Sequence, residues 1–305
     1  MSPTIQSTMN PRVWAMLLTL SVLWGSSFFF VGLVVSALPP LTIVLARVGF
    51  AAVTLWIIIV VLRIPSPKSL KAWLALFGMG MLNNVIPFSL IVWGQTQIPS
   101  GLASIFNATT PLFTVVIAGL LLSDERLTSA KLIGALVGLI GTAYMIGPSA
   151  LSGLGGDALA QLAIIGSSIS YGFASVYGRR FKTMGLPPIT TAAGQVTAST
   201  VILVPFVLLI DRPFQLPMPG FEIWASLLAL AVFSTALAYI LYFKILSVAG
   251  ATNLTLVTFL IPISAILLGY VVLGERLELS HYIGMAIIGL SLSIIDGRLW
   301  KQIKF

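Results

Sequence analysis

Apolar residues run along this chain in long, nearly uncharged stretches that short polar segments separate. Each stretch reaches about 20 residues, which is the length needed to cross the hydrocarbon core of a membrane. The pattern predicts transmembrane helices over ten ranges: 13–36, 40–62, 70–95, 100–122, 128–147, 158–178, 188–210, 221–243, 251–273 and 280–297. The first stretch is too long for the apolar region of a cleaved signal peptide and leads directly into the second, so we expect a retained helix.

The basic residues are distributed unequally between the two sides of this ten-helix plan. Of the 16 Lys and Arg residues, 13 fall on the side of the N-terminus, Arg212 and Arg276 fall on the other side, and Arg47 lies inside a span. Short loops rich in Lys and Arg stay in the cytoplasm. The count therefore predicts that the N-terminus and the C-terminus are both cytoplasmic.

Composition narrows the classes of protein to which the chain can belong. It is 58% hydrophobic and 8% charged, against about 25% charged residues in a soluble domain. The net charge of +8 does not indicate nucleic-acid binding, because the cations lie at the ends of apolar spans, where they meet anionic lipid headgroups. With no cysteine and one histidine, we expect no metal site and no cofactor.

The chain divides into two related halves. Residues 124–141 (DERLTSAKLIGALVGLIG) resemble residues 274–291 (GERLELSHYIGMAIIGLS), and Glu125 and Gly134 match Glu275 and Gly284. An odd number of helices per half makes the second half enter the membrane from the opposite side. We therefore predict a first five-helix repeat over residues 1–147, a periplasmic connector over 148–157, and a second, inverted five-helix repeat over 158–305.

Several segments resemble the EamA-type transporters, the ten-helix branch of the drug/metabolite transporter superfamily. The resemblance lies in LWGSSF (23–28), ARVGFAA (46–52), SSISYGFASVYGRR (167–180) and the two E-R-L segments, and it extends over about residues 13–297. It implies an all-α membrane protein with ten transmembrane helices, arranged as two inverted five-helix repeats around a central cavity. It also implies a multi-pass protein of the bacterial cytoplasmic (inner) membrane.

Polar residues within the spans are the candidates for binding a substrate, because buried polar groups in a membrane face the bundle interior or a water-filled cavity. We expect a cavity between the first, third, fourth, sixth, eighth and ninth helices. The candidate binding residues are the amides and the rings Asn83, Asn84, Gln95, Asn107, Trp24, Tyr171 and Tyr239. Hydrogen bonds between helices are the alternative role for the amides. Other tryptophans can anchor the helices at the membrane interface; they are Trp56, Trp73, Trp93, Trp224 and Trp300.

Arg47 is the one cation predicted inside a span, and three roles are open to it. Its side chain could extend to the outer interface, it could neutralise a substrate carboxylate, or it could bind a structural partner. Pro111 and Pro262 lie in matched helices of the two halves, where kinks can point to a substrate site and to gating or can only shape the packing of the helices. Gly134 and Gly138 have GxxxG spacing, which favours close packing inside one chain over a dimer contact.

These features favour a secondary transporter that works by alternating access as a monomer. The EamA resemblance implies export of amino acids, with neutral hydrophobic or aromatic ones as a subset; export of drugs or other small metabolites, with proton coupling, is the alternative. An enzyme would need a catalytic constellation within the membrane, and a channel would need a symmetric filter or charged rings. No Asp or Glu lies deep in a span, which favours movement of the substrate down its own gradient.

Overall fold

The computed structural model of this protein describes residues 10–146, 157–273 and 278–296. Glu275 and Arg276, and all but the last residue of the predicted connector, lie outside these ranges. Within them the regular secondary structure is helical. We number the helices α1 (Pro11–Val34), α2 (Pro40–Val61), α3 (Leu70–Gln95), α4 (Ser100–Leu121), α5 (Ser129–Ile146), α6 (Ala158–Gly178), α7 (Pro188–Asp211), α8 (221–249), α9 (251–273) and α10 (Leu279–Asp296).

Gly250 separates α8 from α9. The backbone there has φ 82° and ψ 178°, a non-helical conformation inside an otherwise continuous helical run, Phe221–Thr255. A positive φ of this kind favours glycine, because a Cβ would be strained there. The chain therefore changes direction at Gly250 with no loop between the two helices. A hydropathy plot cannot show such a kink.

Seven helical stretches of the described residues are long and apolar enough to cross a membrane, judged by length and composition. Two further apolar helices, Ser129–Met145 and Leu279–Ile295, are shorter. The protein is thus an all-helical, multi-span membrane protein, and the number of ten crossings stays a prediction.

Many polar side chains within the helices are buried in the bundle, and its outer surface is covered by large apolar side chains. Asn83, Asn84 and Gln195 are buried, whereas Leu74, Leu120 and other large apolar residues on the outer surface are exposed. In water such a surface would be unstable, because contiguous apolar patches of this extent seek a partner. Lipid therefore serves as the solvent for the outside of the bundle, as the composition predicts.

Glycines bring α5 and α10 into close contact. A Cβ on Gly138 would lie 2.6 Å from Ser291 Oγ, and a Cβ on Gly284 would lie 2.3 Å from Met145 Cβ. The Ser291 hydroxyl donates to the Gly134 carbonyl at 2.7 Å. The GxxxG glycines therefore pack against another helix of the same chain, as predicted.

Helices α2 and α7 form a second pair between the two halves, and hydrogen bonds join them at both ends. At the start of α2, Asp211 Oδ2 accepts from the Thr42 N–H at 2.7 Å and from its hydroxyl at 2.8 Å. At the start of α7, the Thr190 hydroxyl donates to the Pro65 carbonyl at 2.9 Å. This pair and the pair α5–α10 flank the helices that surround the cavity.

Candidate functional site

A cavity lies inside the bundle between the two halves. The space between its walls is about 680 Å³, with the open solvent at its mouth included. Its walls come from α1, α3, α4, α6, α8 and α9, the six helices predicted from the sequence, and from Arg47 on α2. The lining residues are Trp24, Ser27, Phe28, Val31, Arg47, Phe88, Ile91, Gln95, Asn107, Thr110, Tyr171, Ser175, Tyr239, Tyr242, Leu254, Thr255, Val257, Thr258 and Ile261.

Six of the eight residues predicted to bind substrate line this one cavity, although they come from six different helices. They are Trp24, Arg47, Gln95, Asn107, Tyr171 and Tyr239. The structure therefore brings together side chains as much as 215 residues apart in sequence, from Trp24 to Tyr239.

The other two predicted residues, Asn83 and Asn84, do not line the cavity. Asn83 Nδ2 donates to Gln195 Oε1 at 3.1 Å, and Asn84 Nδ2 donates to Ser199 Oγ at 2.8 Å, so both amides face α7. The cause is a π-helical turn at Met81–Val85. The extra residue in such a turn rotates the helix before it relative to the helix after it, so the face that carries Phe88, Ile91 and Gln95 does not continue through Asn84.

Asn84 contributes to the cavity wall indirectly. The Tyr239 hydroxyl donates to Asn84 Oδ1, and it also lies 3.1 Å from the Asn83 carbonyl. Tyr239 is buried and its ring forms part of the wall. Asn84 therefore fixes the orientation of a lining ring from behind, which is a structural role for a residue that the sequence analysis placed in the site.

Arg47 is turned into the cavity wall and does not extend to the membrane interface. It is 5% exposed. Its Nε donates to Thr235 Oγ1 at 2.8 Å, its Nη2 donates to the Ser234 carbonyl at 3.4 Å, and its guanidinium lies 3.7 Å from the centre of the Phe88 ring. Among the described residues no carboxylate pairs with it. A buried cation without a counter-ion is costly, so this site favours an anionic group.

The two amides of the wall each keep an acceptor unused. Gln95 Nε2 donates to Ser100 Oγ at 2.7 Å, but Gln95 Oε1 has no partner, and Asn107 Oδ1 has none either. The lining hydroxyls of Thr110, Thr255 and Thr258 donate instead to carbonyls of their own helices. Buried polar atoms are usually paired, so the two amide oxygens mark where a hydrogen-bond donor is missing.

Aromatic rings form much of the remaining wall. Tyr239 lies at 6.4 Å from Trp24 and 5.7 Å from Tyr242, edge to face in both pairs, and stacks on Phe88 at 6.5 Å. Phe88 and Phe28 were not among the predicted binding residues. Phe88 precedes Gln95 by seven residues, which is about two helical turns, so both lie on one face of the helix. This spacing is the feature of the sequence that could have identified Phe88.

Helix interruptions flank the cavity in both halves. Helix α4 is broken at Ala108 and Thr109, between Ser100–Asn107 and Thr110–Leu121, and α9 is broken at Leu256. Pro111 lies in the first turn after the break in α4, whereas Pro262 lies inside the helix Val257–Leu273. Breaks in matched repeat helices are a common feature of transporter sites, and the gating role of the two prolines stays a prediction.

Within the described ranges, no group of three or more His, Asp or Glu side chains is close enough to hold a metal ion. The cavity wall offers one guanidinium, two amide acceptors, several hydroxyls and a set of aromatic rings. It suits reversible binding of a small molecule.

Comparison with known proteins identifies the family. Residues 12–147 and 158–295 each match the EamA-like transporter family. An uncharacterized inner membrane transporter, YedA, of Escherichia coli (strain K12) is 28% identical over 275 residues, covering 89% of this chain and 86% of that protein. Protein PecM of Dickeya dadantii is 25% identical over 280 residues, covering 90% and 88%.

Two further comparisons show that the similarity extends over nearly the whole chain and includes the fold. An uncharacterized transporter of Archaeoglobus fulgidus is 24% identical over 289 residues, covering 93% of this chain and 98% of that protein. A protein of known crystal structure superposes with a TM-score of 0.75 at 19% identity, covering 96% of this chain and 100% of the other, and so shares the fold. Because both halves of the chain match the family, this protein belongs to the EamA-like transporter family and moves a small molecule across a membrane.

Proposed function

We propose that the transported molecules are neutral amino acids, preferentially those with hydrophobic or aromatic side chains, and that the protein exports them down their concentration gradient by alternating access. The two five-helix repeats, residues 1–147 and 158–305, would move relative to each other around the cavity. Both termini would lie in the cytoplasm, and the working unit would be a monomer in the cytoplasmic membrane.

The observation that carries this proposal is Arg47, which has no carboxylate partner among the described residues, in a wall that also holds two amide oxygens without a hydrogen-bond donor. The guanidinium supplies donors for a carboxylate, and charge-assisted hydrogen bonds of this type are the strong ones. Gln95 Oε1 and Asn107 Oδ1 supply acceptors for an ammonium group. A zwitterion satisfies both kinds of group with no net charge to desolvate.

The rings support the side-chain preference. Trp24, Phe88, Tyr239 and Tyr242 present apolar faces and edges to the cavity, and aromatic pairs are worth about 0.5–1.5 kcal/mol beyond their buried area. The proposed energetics rest on the position of the acids: each Asp or Glu lies near the end of a span or in a loop, so no carboxylate lies deep in the membrane to take up a proton.

Uptake into proteoliposomes, with competitors that lack one end of the amino acid, tests the substrate class. Unlabelled phenylalanine should compete with labelled phenylalanine, whereas phenethylamine and 3-phenylpropionate should compete roughly 10- to 100-fold less well, because each loses one charge-assisted interaction. An imposed pH gradient should leave uptake nearly unchanged. Accumulation driven by that gradient would show proton coupling, and transport of unrelated drug-like cations in place of amino acids would contradict the substrate class.

Reporter fusions test the predicted topology. Fusions after Arg63 and Lys182 should report a cytoplasmic location, and a fusion at Ser152 should report the opposite side, because the Lys and Arg residues are concentrated on one side. A cytoplasmic report from Ser152 would contradict the inverted arrangement of the two halves.

Asn84 and Asn107 should respond differently to the same substitution. Asn84→Ala removes the acceptor of the Tyr239 hydroxyl and a donor to Ser199, so we expect a stability loss of about 0.6–1.7 kcal/mol. Asn107→Ala removes an oxygen that has no partner in the protein, so stability should hold while phenylalanine binds several-fold more weakly. Melting curves in detergent and binding titrations of both variants measure this; equal stability losses would contradict the assignment.

A further inference from the structure

Glu125 is a buried carboxylate that lies outside the transport cavity. It follows α4 in the first half of the chain and is 6% exposed. A carboxylate that is removed from water needs several hydrogen bonds or a cation to remain charged. Its partners all belong to the second half.

Three donors bind this carboxylate. Glu125 Oε1 accepts from the Ala251 N–H at 2.8 Å and from Arg179 Nη1 at 3.1 Å, and Oε2 accepts from the Thr252 N–H at 2.8 Å. Arg179, which follows α6, also pairs with Asp124. Hydrogen bonds from the Arg179 guanidinium lower the pKa of Asp124, so this second carboxylate stays charged beside the arginine.

Gly250 makes the two backbone donors available. The first N–H groups of a helix have no partner inside the helix, and the positive φ of Gly250 turns the chain so that the N–H groups of Ala251 and Thr252 both face Glu125. The contact therefore depends on a conformation that most other residues would adopt only with strain. We call this set of groups, Glu125, Arg179 and the two N–H groups, the Glu125 latch.

The latch lies one helical turn from the cavity. Ser175 lines the cavity and precedes Arg179 by four residues on the same helical face. Thr255 lines it as well and follows Ala251 by four residues. Ser175 is 1% exposed, so little solvent reaches its side chain in this conformation. In the predicted topology this is the cytoplasmic end.

We propose that the Glu125 latch is the cytoplasmic gate of the transporter: it holds the halves together while the cavity is closed to the cytoplasm and separates when the cavity opens there. The proposal rests on the alternating access proposed above. A contact between halves at one end of the cavity must break when the halves move apart at that end. The pair α2–α7 differs, because it flanks the cavity and does not close its cytoplasmic end. Hydrogen bonds join that pair at both ends, so it can stay joined while the latch separates.

When the cavity opens to the cytoplasm, water would replace the hydrogen bonds between Glu125 and its three donors. The carboxylate, the guanidinium and the two N–H groups would each be hydrated in the open state, and a hydrogen bond exchanged in this way contributes little net free energy. The latch can therefore hold one state without trapping the transporter in it. Removing the carboxylate should shift the equilibrium toward the state open to the cytoplasm.

Thiol labelling of Ser175→Cys tests the gate. Since the chain contains no cysteine, this variant carries a single thiol, just inside the latch. In inside-out membrane vesicles without substrate, an impermeant maleimide should label it slowly. Adding Glu125→Ala should raise the labelling rate about tenfold or more, and adding Glu125→Gln, which keeps an acceptor but loses the charge, should raise it less.

Asp211→Ala is the matched control, because Asp211 also binds the start of a helix in the other half but at the opposite end of the molecule. It should leave the labelling rate unchanged. Equal labelling with and without Glu125, or an equal rise with Asp211→Ala, would overturn the gate. If Glu125→Ala does not reach the membrane, Glu125→Gln decides in the same way. Because labelling needs no substrate, absence of amino-acid transport would count against the proposed substrate and leave the gate supported.

Discussion

Replacing Arg47 with methionine should weaken phenylalanine binding by roughly 10- to 100-fold, because a charge-assisted hydrogen bond to the substrate carboxylate is worth about 1.5–3 kcal/mol. Methionine fills similar volume and removes a buried cation that has no counter-ion among the described residues. The folded protein should therefore be as stable as the wild type or more stable. Binding titrations and melting curves on the purified variant measure both effects.

Two further variants sharpen this result. Arg47→Lys keeps the charge but loses the planar fork that matches a carboxylate, so binding should recover only in part. Arg180→Met is the control, because Arg180 also lies over a ring, 3.3 Å from the centre of Tyr177, but is exposed outside the cavity. Phenylalanine affinity should not change in that variant. An Arg47→Met protein with full affinity would show that Arg47 has a structural role.

Gly284→Ala should lower the apparent melting temperature by roughly 2–10 °C, because overpacking costs about 1–3 kcal/mol. A Cβ at this position would lie 2.3 Å from Met145 Cβ, 2.7 Å from Met145 Cα and 3.0 Å from the Gly141 carbonyl oxygen. Two of these three atoms belong to the backbone, so α5 and α10 would have to move apart. Thermal unfolding followed by size-exclusion chromatography in detergent measures the loss.

Gly289→Ala is the control on the same helix. Nothing lies within 4 Å of a Cβ at Gly289, and alanine is the better helix former by about 1 kcal/mol. Its melting temperature should stay unchanged or rise. A similar loss in both variants would mean that glycine matters there for a reason other than the contact between α5 and α10.

The sequence predicts the helices and the membrane class because these depend on local patterns. Long apolar stretches mark the helices, and the predicted ranges agree with the observed bounds within a few residues over most of the chain. The boundary between α8 and α9 at Gly250 shows where this approach fails. Hydropathy cannot distinguish a single residue with positive φ from an ordinary loop between two helices. The packing of Gly134 and Gly138 inside the chain follows from their spacing and from the number of helices.

The directions of single side chains depend on details that a sequence does not display. A π-helical turn at Met81–Val85 directs Asn83 and Asn84 toward α7. Regular helical spacing would instead place Asn84 on the face of α3 that lines the cavity. Arg47 faces inward because it donates hydrogen bonds to Thr235 and to the Ser234 carbonyl and lies over the Phe88 ring. These partners lie on other helices, so the sequence around Arg47 does not reveal them. The Glu125 latch was equally hidden, since its donors are backbone groups that become available only after the fold forms.

Counterflow in proteoliposomes tests most directly the claim that this protein is an amino-acid carrier that works by alternating access. Vesicles loaded with unlabelled phenylalanine are diluted into trace labelled phenylalanine, and the label inside is followed over time. A carrier predicts a transient accumulation of label above equilibrium, because each return of the loaded site brings labelled substrate in while the internal pool competes for exit. Simple equilibration of the label without this overshoot would indicate a channel and would contradict the account.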